Sequence, residues 1–226
     1  MNVGVTLTHS QPPSVEKRRS DLMSVAAVVL AAGGSTRFGK PKQFALFQGE
    51  TFIRRIVAVA IQASCAPVVV VTGEHSTQID LEVSGLTVSI VVNPHWQSGL
   101  GSSIGVGVRH AINLAPDVDA ALLLTCDQPF VNAAVLMQLI QLRLTTGKPI
   151  IASAYAETLG IPALFDRSCF PDLLELKEDS GAKKIILARP YDVSSFDFPA
   201  GQIDIDTAAN YEKLDQPLAA DGTRSG

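Results

Sequence analysis

The richest chemistry lies in one segment, Leu30-Ala31-Ala32-Gly33-Gly34-Ser35-Thr36-Arg37-Phe38-Gly39-Lys40-Pro41-Lys42-Gln43. Successive small residues let backbone N–H groups come close to phosphate oxygens, while Arg37, Lys40 and Lys42 bring three cations into six residues. A plain Gly- and Ser-rich turn accounts for the glycines but requires no charge. The charge is conspicuous because Asp and Glu outnumber Lys and Arg, 22 to 18, for a net charge of −4. Gly34, Gly39 and Lys40 match the opening of a P-loop, yet Pro41 stands where the Mg²⁺-binding hydroxyl belongs. Proline there also disfavours a helical Lys40, so a P-loop helix could not start. GxGxxG is absent, which disfavours hydride transfer from a dinucleotide.

Carboxylates recur at two further places. Asp127, in Thr125-Cys126-Asp127-Gln128-Pro129, directly follows an apolar run and suits a hard, oxygen-seeking Mg²⁺; the alternative is a cap of the next helix. Asp204 and Asp206, in Asp204-Ile205-Asp206-Thr207, fall on one side of an extended segment, as a metal pair or as an N-cap with a solvated neighbour. Asn93-Pro94-His95-Trp96, then Gly99-Leu100-Gly101-Ser102-Ser103, opens a helix whose N–H groups and hydroxyls suit an anion or a base edge. His95 and Trp96 read as packing and loop-anchoring residues. Gly101-Ser102-Ser103-Ile104-Gly105 also fits a nucleophile elbow, but the only later histidine is His110, so no triad order works. Cys126 reads as a small buried filler.

The elements that must carry these residues alternate in type. Continuous apolar runs at Val25–Ala32, Val68–Thr72, Val88–Asn93, Ala120–Thr125 and Ile150–Ala154 read as buried strands. Helical periodicity marks Phe52–Ala63, Leu100–Asn113 and the stretch holding Val135, Leu136, Leu139, Ile140 and Leu142. Short helices near Ser168–Leu176 and Gly181–Ala188, a strand near Val193–Asp197 and a last helix after Asp206 complete the reading. Strands alternating with helices imply βαβ units and a doubly wound, mostly parallel α/β sheet in a single domain over 23–214. Flexible segments flank it at 1–22 and 215–226. Ligands of such folds sit at the carboxyl ends of the strands, where the polar motifs fall.

Leu30-Ala31-Ala32-Gly33 with Arg37, Gly39 and Pro41-Lys42 resembles the signature of the MobA-like nucleotidyltransferases. The likeness extends from Val25 to about Leu214 and is greatest to the molybdenum cofactor cytidylyltransferase branch. It implies a Rossmann-like, glycosyltransferase-A-like fold and Mg²⁺-dependent transfer of a nucleoside monophosphate to a phosphorylated acceptor. By resemblance, Arg37 and Lys42 bind phosphates with Lys40 assisting, and Asp127 with Asp206 or Asp204 holds the metal. Leu30, Ala31, Ala32, Gly33, Gly34, Ser35, Thr72, Asn93, Gly101, Ser102 and Ser103 surround the nucleotide. Gly160 and Pro162, with Gly181 and Lys183, lie on the acceptor side. Ile161 and Lys183 depart from the His and Arg that many relatives carry there, and Lys lacks the bidentate fork of Arg. Ala32 points to CTP and a molybdopterin-type acceptor, because the guanylyl branch carries Gly at that place. Guanylyl transfer, a sugar-phosphate acceptor, or nucleotide binding without chemistry remain the alternatives.

Composition bounds the partners. The 226 residues are 46% hydrophobic and 18% charged, which excludes disorder along the whole chain. A pI near 5.5 argues against non-specific nucleic-acid binding. No stretch approaches the ~20 apolar residues of a membrane span. Cys65, Cys126 and Cys169 form neither a CxxC pair nor a disulfide framework, which suggests a reducing cytoplasm. His9, His75, His95 and His110 lack zinc spacing. Lys17-Arg18-Arg19 before an eight-residue apolar run has the outline of a signal peptide, but Asp21 intervenes and the run is marginal. A molybdenum hydroxylase or its chaperone is the expected protein partner of such an activity.

Overall fold

A computed structural model describes residues 23–33, 41–176 and 180–203. Seven strands form the main sheet: β1 (Val25–Leu30), β4 (Val68–Thr72), β5 (Ser89–Val92), β6 (Ala120–Thr125), β7 (Ile150–Tyr155), β8 (Thr158–Asp166) and β9 (Val193–Asp197), in the order β5-β4-β1-β6-β8-β7-β9. A small antiparallel pair, β2 (Leu46–Phe47) and β3 (Glu50–Thr51), lies apart. β1 pairs in parallel with β4 and β6, β4 with β5, and β7 with β9. β8 runs antiparallel to both β6 and β7. The doubly wound α/β reading therefore holds, with one reversed strand.

The central strands are apolar throughout because both faces are covered. Along β1, Ala27 and Val29 join one core while Ala26, Val28 and Leu30 join the other. The first core is closed by helices α1 (Phe52–Gln62), α2 (Ser76–Glu82) and α4 (Ala133–Thr146), which bury Ile53, Ile56, Ile79, Leu136 and Leu139. The second is closed by α3 (Leu100–Leu114), α5 (Phe170–Leu174) and α6 (Lys183–Ala188). Thr51 caps α1 by accepting from the Arg54 N–H, and α4 ends on Gly147 in the left-handed conformation.

Three differences from the sequence reading stand out. β1 stops at Leu30, so Ala31–Gly33 form the loop that leaves the sheet. Helix α2 has one buried residue, Ile79, and leaves almost no periodic trace. The Gly160–Phe165 motif lies within a strand, reached by a hairpin whose Ala156 and Glu157 both have positive φ. The expected terminal segments 1–22 and 215–226 and the last helix lie outside the described residues.

The chain steps from β1 to β4 to β5 on one side, then crosses through α3 to β6 on the other side of β1. This reversal opens a crevice between the carboxyl ends of β1 and β6, where open α/β sheets bind their ligands.

Two glycines of α3 test the packing with opposite signs. A β-carbon at Gly107 would run into Val28 and Val71, whereas one at Gly105 would make ordinary van der Waals contact with the Leu173 and Leu174 backbone, the nearest atom being the Leu174 carbonyl at 3.5 Å. Gly107→Val should lose about 2–3 kcal/mol by overpacking. Gly105→Ala should gain about 0.5–1 kcal/mol from helix propensity. Urea unfolding of both variants checks the pair.

Candidate functional site

A cavity of about 420 Å³ fills the crevice, within the usual range for small-ligand sites. Its floor is the end of β1, Leu30 to Gly33, and the end of β6, Thr125 to Asp127. Lys42, Gln43, Trp96, Gln97, Gly99, Leu100 and Ser103 close the sides. A β-carbon at Gly33 would meet nothing within 4 Å, so the loop borders open space.

Lys42 opens a single 3₁₀ turn, Lys42–Phe44, in which the Phe44 and Ala45 N–H groups donate back to Pro41 and Lys42. The turn aims the Lys42 ammonium across the crevice, where Nζ donates to Asp127 Oδ2 at 2.5 Å. Both side chains are 18% exposed. Asp127 does not cap a helix. Asn132 caps α4, its Oδ1 accepting from the Val135 N–H at 3.1 Å. The Asp127 carboxylate is left to the cavity and to the cation beside it.

Behind the cavity lies a buried polar layer. The Asn93 N–H donates to the Thr72 carbonyl, its Nδ2 to Ser102 Oγ at 2.9 Å and Ser103 Oγ at 3.0 Å, and its Oδ1 accepts from the His95 N–H. Ser102 in turn donates to the Gly99 carbonyl at 2.8 Å. Asn93 and Ser102 are thus engaged in holding the loop before α3, and Ser103 reaches the cavity. Thr72 Oγ1 is buried with no hydrogen-bond partner among the described residues. Trp96 packs over Gly73, where a β-carbon would lie 2.5 Å from Trp96 Cδ1. Trp96 thus anchors the loop, as the sequence leads one to expect, and it also lines the cavity.

Of the predicted residues, the crevice brings together Leu30, Ala31, Ala32, Gly33, Lys42, Ser103 and Asp127. Thr72, Asn93, Gly101 and Ser102 stand behind it. Gly160 and Pro162 lie on β8 and do not line the cavity; Gly181 abuts Leu100 at its rim, and Lys183 is exposed at the start of α6. Gly34, Ser35, Arg37, Lys40, Asp204 and Asp206 lie outside the described residues. Sequence reasoning passed over Gln43, buried beside Lys42, and Gln128, buried beside Asp127. Their only trace was an uncharged polar residue next to a charged one.

Oxygen chemistry dominates the site. Burial pushes the Cys126 thiol up to about 12, and the neighbouring Asp127 charge adds to the effect. A protonated thiol is a poor nucleophile and a poor metal ligand near pH 7. Among the described residues no group of three or more His, Cys, Asp or Glu is arranged to hold a metal. Mg²⁺ asks for less, one or two carboxylates beside substrate phosphates and water. Asp127 fits that demand, since Oδ2 already holds a cation, the Lys42 ammonium, at the cavity wall.

The chain is a nucleotidyltransferase, built on a fold of the Rossmann-like, glycosyltransferase-A type. The family model described as the MobA-like NTP transferase domain matches residues 27–193, and the chain belongs to that family. A protein of Paenarthrobacter nicotinovorans named nicotine blue oxidoreductase is 27% identical over 191 residues, covering 79% of this chain and 89% of that one. A probable molybdenum cofactor guanylyltransferase of Bacillus cytotoxicus is 30% identical over 120 residues, covering 52% of this chain and 56% of its own. The crystal structure of Rv0371c from Mycobacterium tuberculosis superposes with a TM-score of 0.71 at 26% identity, covering 85% of this chain and 98% of that one. A complex of Rv0371c with manganese is similar at a TM-score of 0.67, with the same identity and coverage. Nucleotidyltransferases of this family generally use divalent metal ions.

The thiols provide a direct check of the site's chemistry. Cys65 and Cys126 are both pushed up to about 12 by burial, and burial also raises Cys169. At pH 8 all three should stay protonated and resist iodoacetamide in the folded chain, then react in urea. Mass spectrometry of the alkylated protein reads the outcome.

Proposed function

We propose that the chain transfers a cytidylyl group from CTP to the terminal phosphate of a molybdopterin-type acceptor, releasing pyrophosphate. The observation that carries the reading is the Lys42–Asp127 pair in the β1/β6 crevice, a cation and a carboxylate facing one cavity. An acceptor phosphate oxygen attacks the α-phosphorus as the bond to the bridging oxygen of the β-phosphate breaks, and pyrophosphate carries the charge away. No general base is needed, because a phosphate monoester is largely ionised near pH 7. What the protein supplies is in-line positioning and charge neutralisation.

Lys42 exchanges its bond to Asp127 for one to a phosphate oxygen, and Arg37 binds the triphosphate with Lys40 in support. Asp127, with Asp206 or Asp204, would hold Mg²⁺. When bound, Mg²⁺ would offset the negative charge that develops on the phosphates. Leu30, Ala31, Ala32, Gly33, Gly34 and Ser35 pack along the nucleotide. Ser103 reaches it from α3, held by Asn93, with Thr72, Gly101 and Ser102 behind. Gly160, Pro162, Gly181 and Lys183 shape the acceptor side. Ala32 places a methyl group at the cavity wall, which favours the smaller pyrimidine and supports CTP. The site belongs to a domain spanning 23–214 and to the cytoplasm, and its product passes to a molybdenum hydroxylase or the chaperone of one.

Guanylyl transfer is the second reading, favoured by the name of the Bacillus cytotoxicus relative. Pyrophosphate release with CTP, GTP and ATP separates the two when molybdopterin is the acceptor. CTP should be preferred, and a preference for GTP would overturn the cytidylyl assignment. Asp127→Asn should lower turnover by about 10²–10³-fold without lowering the melting temperature. Lys42→Met should lower turnover by a similar factor, about 10²-fold or more. It should nevertheless tighten Mn²⁺ binding, because the competing ammonium is gone.

A further inference from the structure

Pairing between β6 and β8 ends at Leu123 and Ala163. On the other side of β8 the register jumps from Ala152 opposite Ala163 to Ser153 opposite Gly160, which leaves Ile161 and Pro162 outside the ladder. The Ile161 carbonyl is thereby free to accept from elsewhere. It accepts from Gln128 Nε2 at 3.0 Å and from the Tyr155 hydroxyl at 2.9 Å. Gln128 Nε2 also donates to the Gly201 carbonyl at 2.9 Å. Tyr155 packs on the same segments. A β-carbon at Gly201 would lie 2.6 Å from Tyr155 Cδ1, and one at Gly160 would collide with the Tyr155 hydroxyl.

Gln128 thus joins three stretches of backbone that no strand pairing joins. They are the turn after β6, which carries Asp127; the bulged part of β8; and Gly201, three residues before Asp204 in the sequence. It is 6% exposed, and its amide hydrogens go to two carbonyls from separate segments. A carboxylate of the same shape could not donate, and an asparagine is one methylene shorter. Buried carbonyls could be satisfied by water or by local turns; here one side chain adjoining the cavity carboxylate satisfies both.

We propose that Gln128 is a positioning residue for the metal carboxylate: it holds the Asp127 turn at a fixed distance from the acceptor-side strand and from the chain that runs on to Asp204. The proposal rests on the reading of Asp127 as a metal ligand. Polar residues that orient metal ligands typically contribute 10–100-fold to metal affinity.

The test uses Mn²⁺ alone as the probe, with free ion read by electron paramagnetic resonance on the full chain. Gln128→Met keeps the shape and removes both donors. Its Mn²⁺ dissociation constant should rise about tenfold, and Gln128→Asn should fall between it and the unsubstituted chain. A folded Gln128→Met that binds Mn²⁺ as tightly as the unsubstituted chain would overturn the proposal, since a purely structural amide would cost stability and leave metal affinity alone. Should the Met variant fail to fold, Gln128→Asn is judged by the same criterion. Hydrogen exchange adds a second one. The Gly201 N–H, which donates to the Phe198 carbonyl, should exchange faster in Gln128→Met than in the unsubstituted chain, and equal rates would contradict the tether. A chain that binds Mn²⁺ in this Gln128-dependent way but transfers no nucleotide overturns the proposed function and leaves Gln128 standing. Failure of Mn²⁺ binding in the unsubstituted chain overturns both.

Discussion

A carboxylate and an ammonium 2.5 Å apart, each mostly withdrawn from water, lie where the sheet reverses its winding. Neither could be held there alone without a cost in desolvation, and each makes the other tolerable. In the proposed function the pair exchanges partners. A divalent ion can take the carboxylate, and a phosphate can take the ammonium, so one substrate complex satisfies both charges at once. The rest of the fold serves this arrangement. β1 and β6 bring their ends side by side, the 3₁₀ turn aims Lys42, and Asn132 caps α4 so that Asp127 is not drawn into a helix terminus.

Around the pair the structure divides its polar groups by task. Lys42, Asp127 and Ser103 face the cavity, whereas Asn93, Ser102 and Gln128 spend their hydrogen bonds on backbone and on neighbouring hydroxyls. Such a second layer makes a binding surface rigid, because a buried amide with all its bonds made has one favourable orientation. Three glycines fit the same division. Gly73 accommodates Trp96, and Gly160 and Gly201 accommodate Tyr155, so their small size is explained by close packing as much as by any ligand.

Much of this was legible in the sequence, for identifiable reasons. A strand buried on both faces must be apolar along its length, so β1, β4 and β6 were plain. A nonpolar run followed at once by Gly-rich or acidic residues marked the strand ends. β8 was hidden because its hairpin turns on Ala156 and Glu157 instead of the Asn-Gly or Asp-Gly pairs that signal such turns. α2 was hidden because a seven-residue helix burying only Ile79 has little periodicity to detect. Asp127 reads from the sequence as either a cap or a ligand, and in the structure the cap of α4 is Asn132. Gln128 was illegible in principle, since its partners Ile161 and Gly201 lie 33 and 73 residues away. Arg37, Lys40, Asp204 and Asp206 remain readings of the sequence, outside the described residues.

The account stands on the exchange at Lys42 and Asp127, and a structure of the full chain crystallised with Mn²⁺ and a non-hydrolysable CTP analogue tests it most directly. The prediction is a manganese ion on the Asp127 carboxylate, with the Lys42 ammonium moved onto a phosphate oxygen in the β1/β6 crevice. A complex in which the Lys42–Asp127 pair stays closed while the nucleotide and metal bind elsewhere would contradict it.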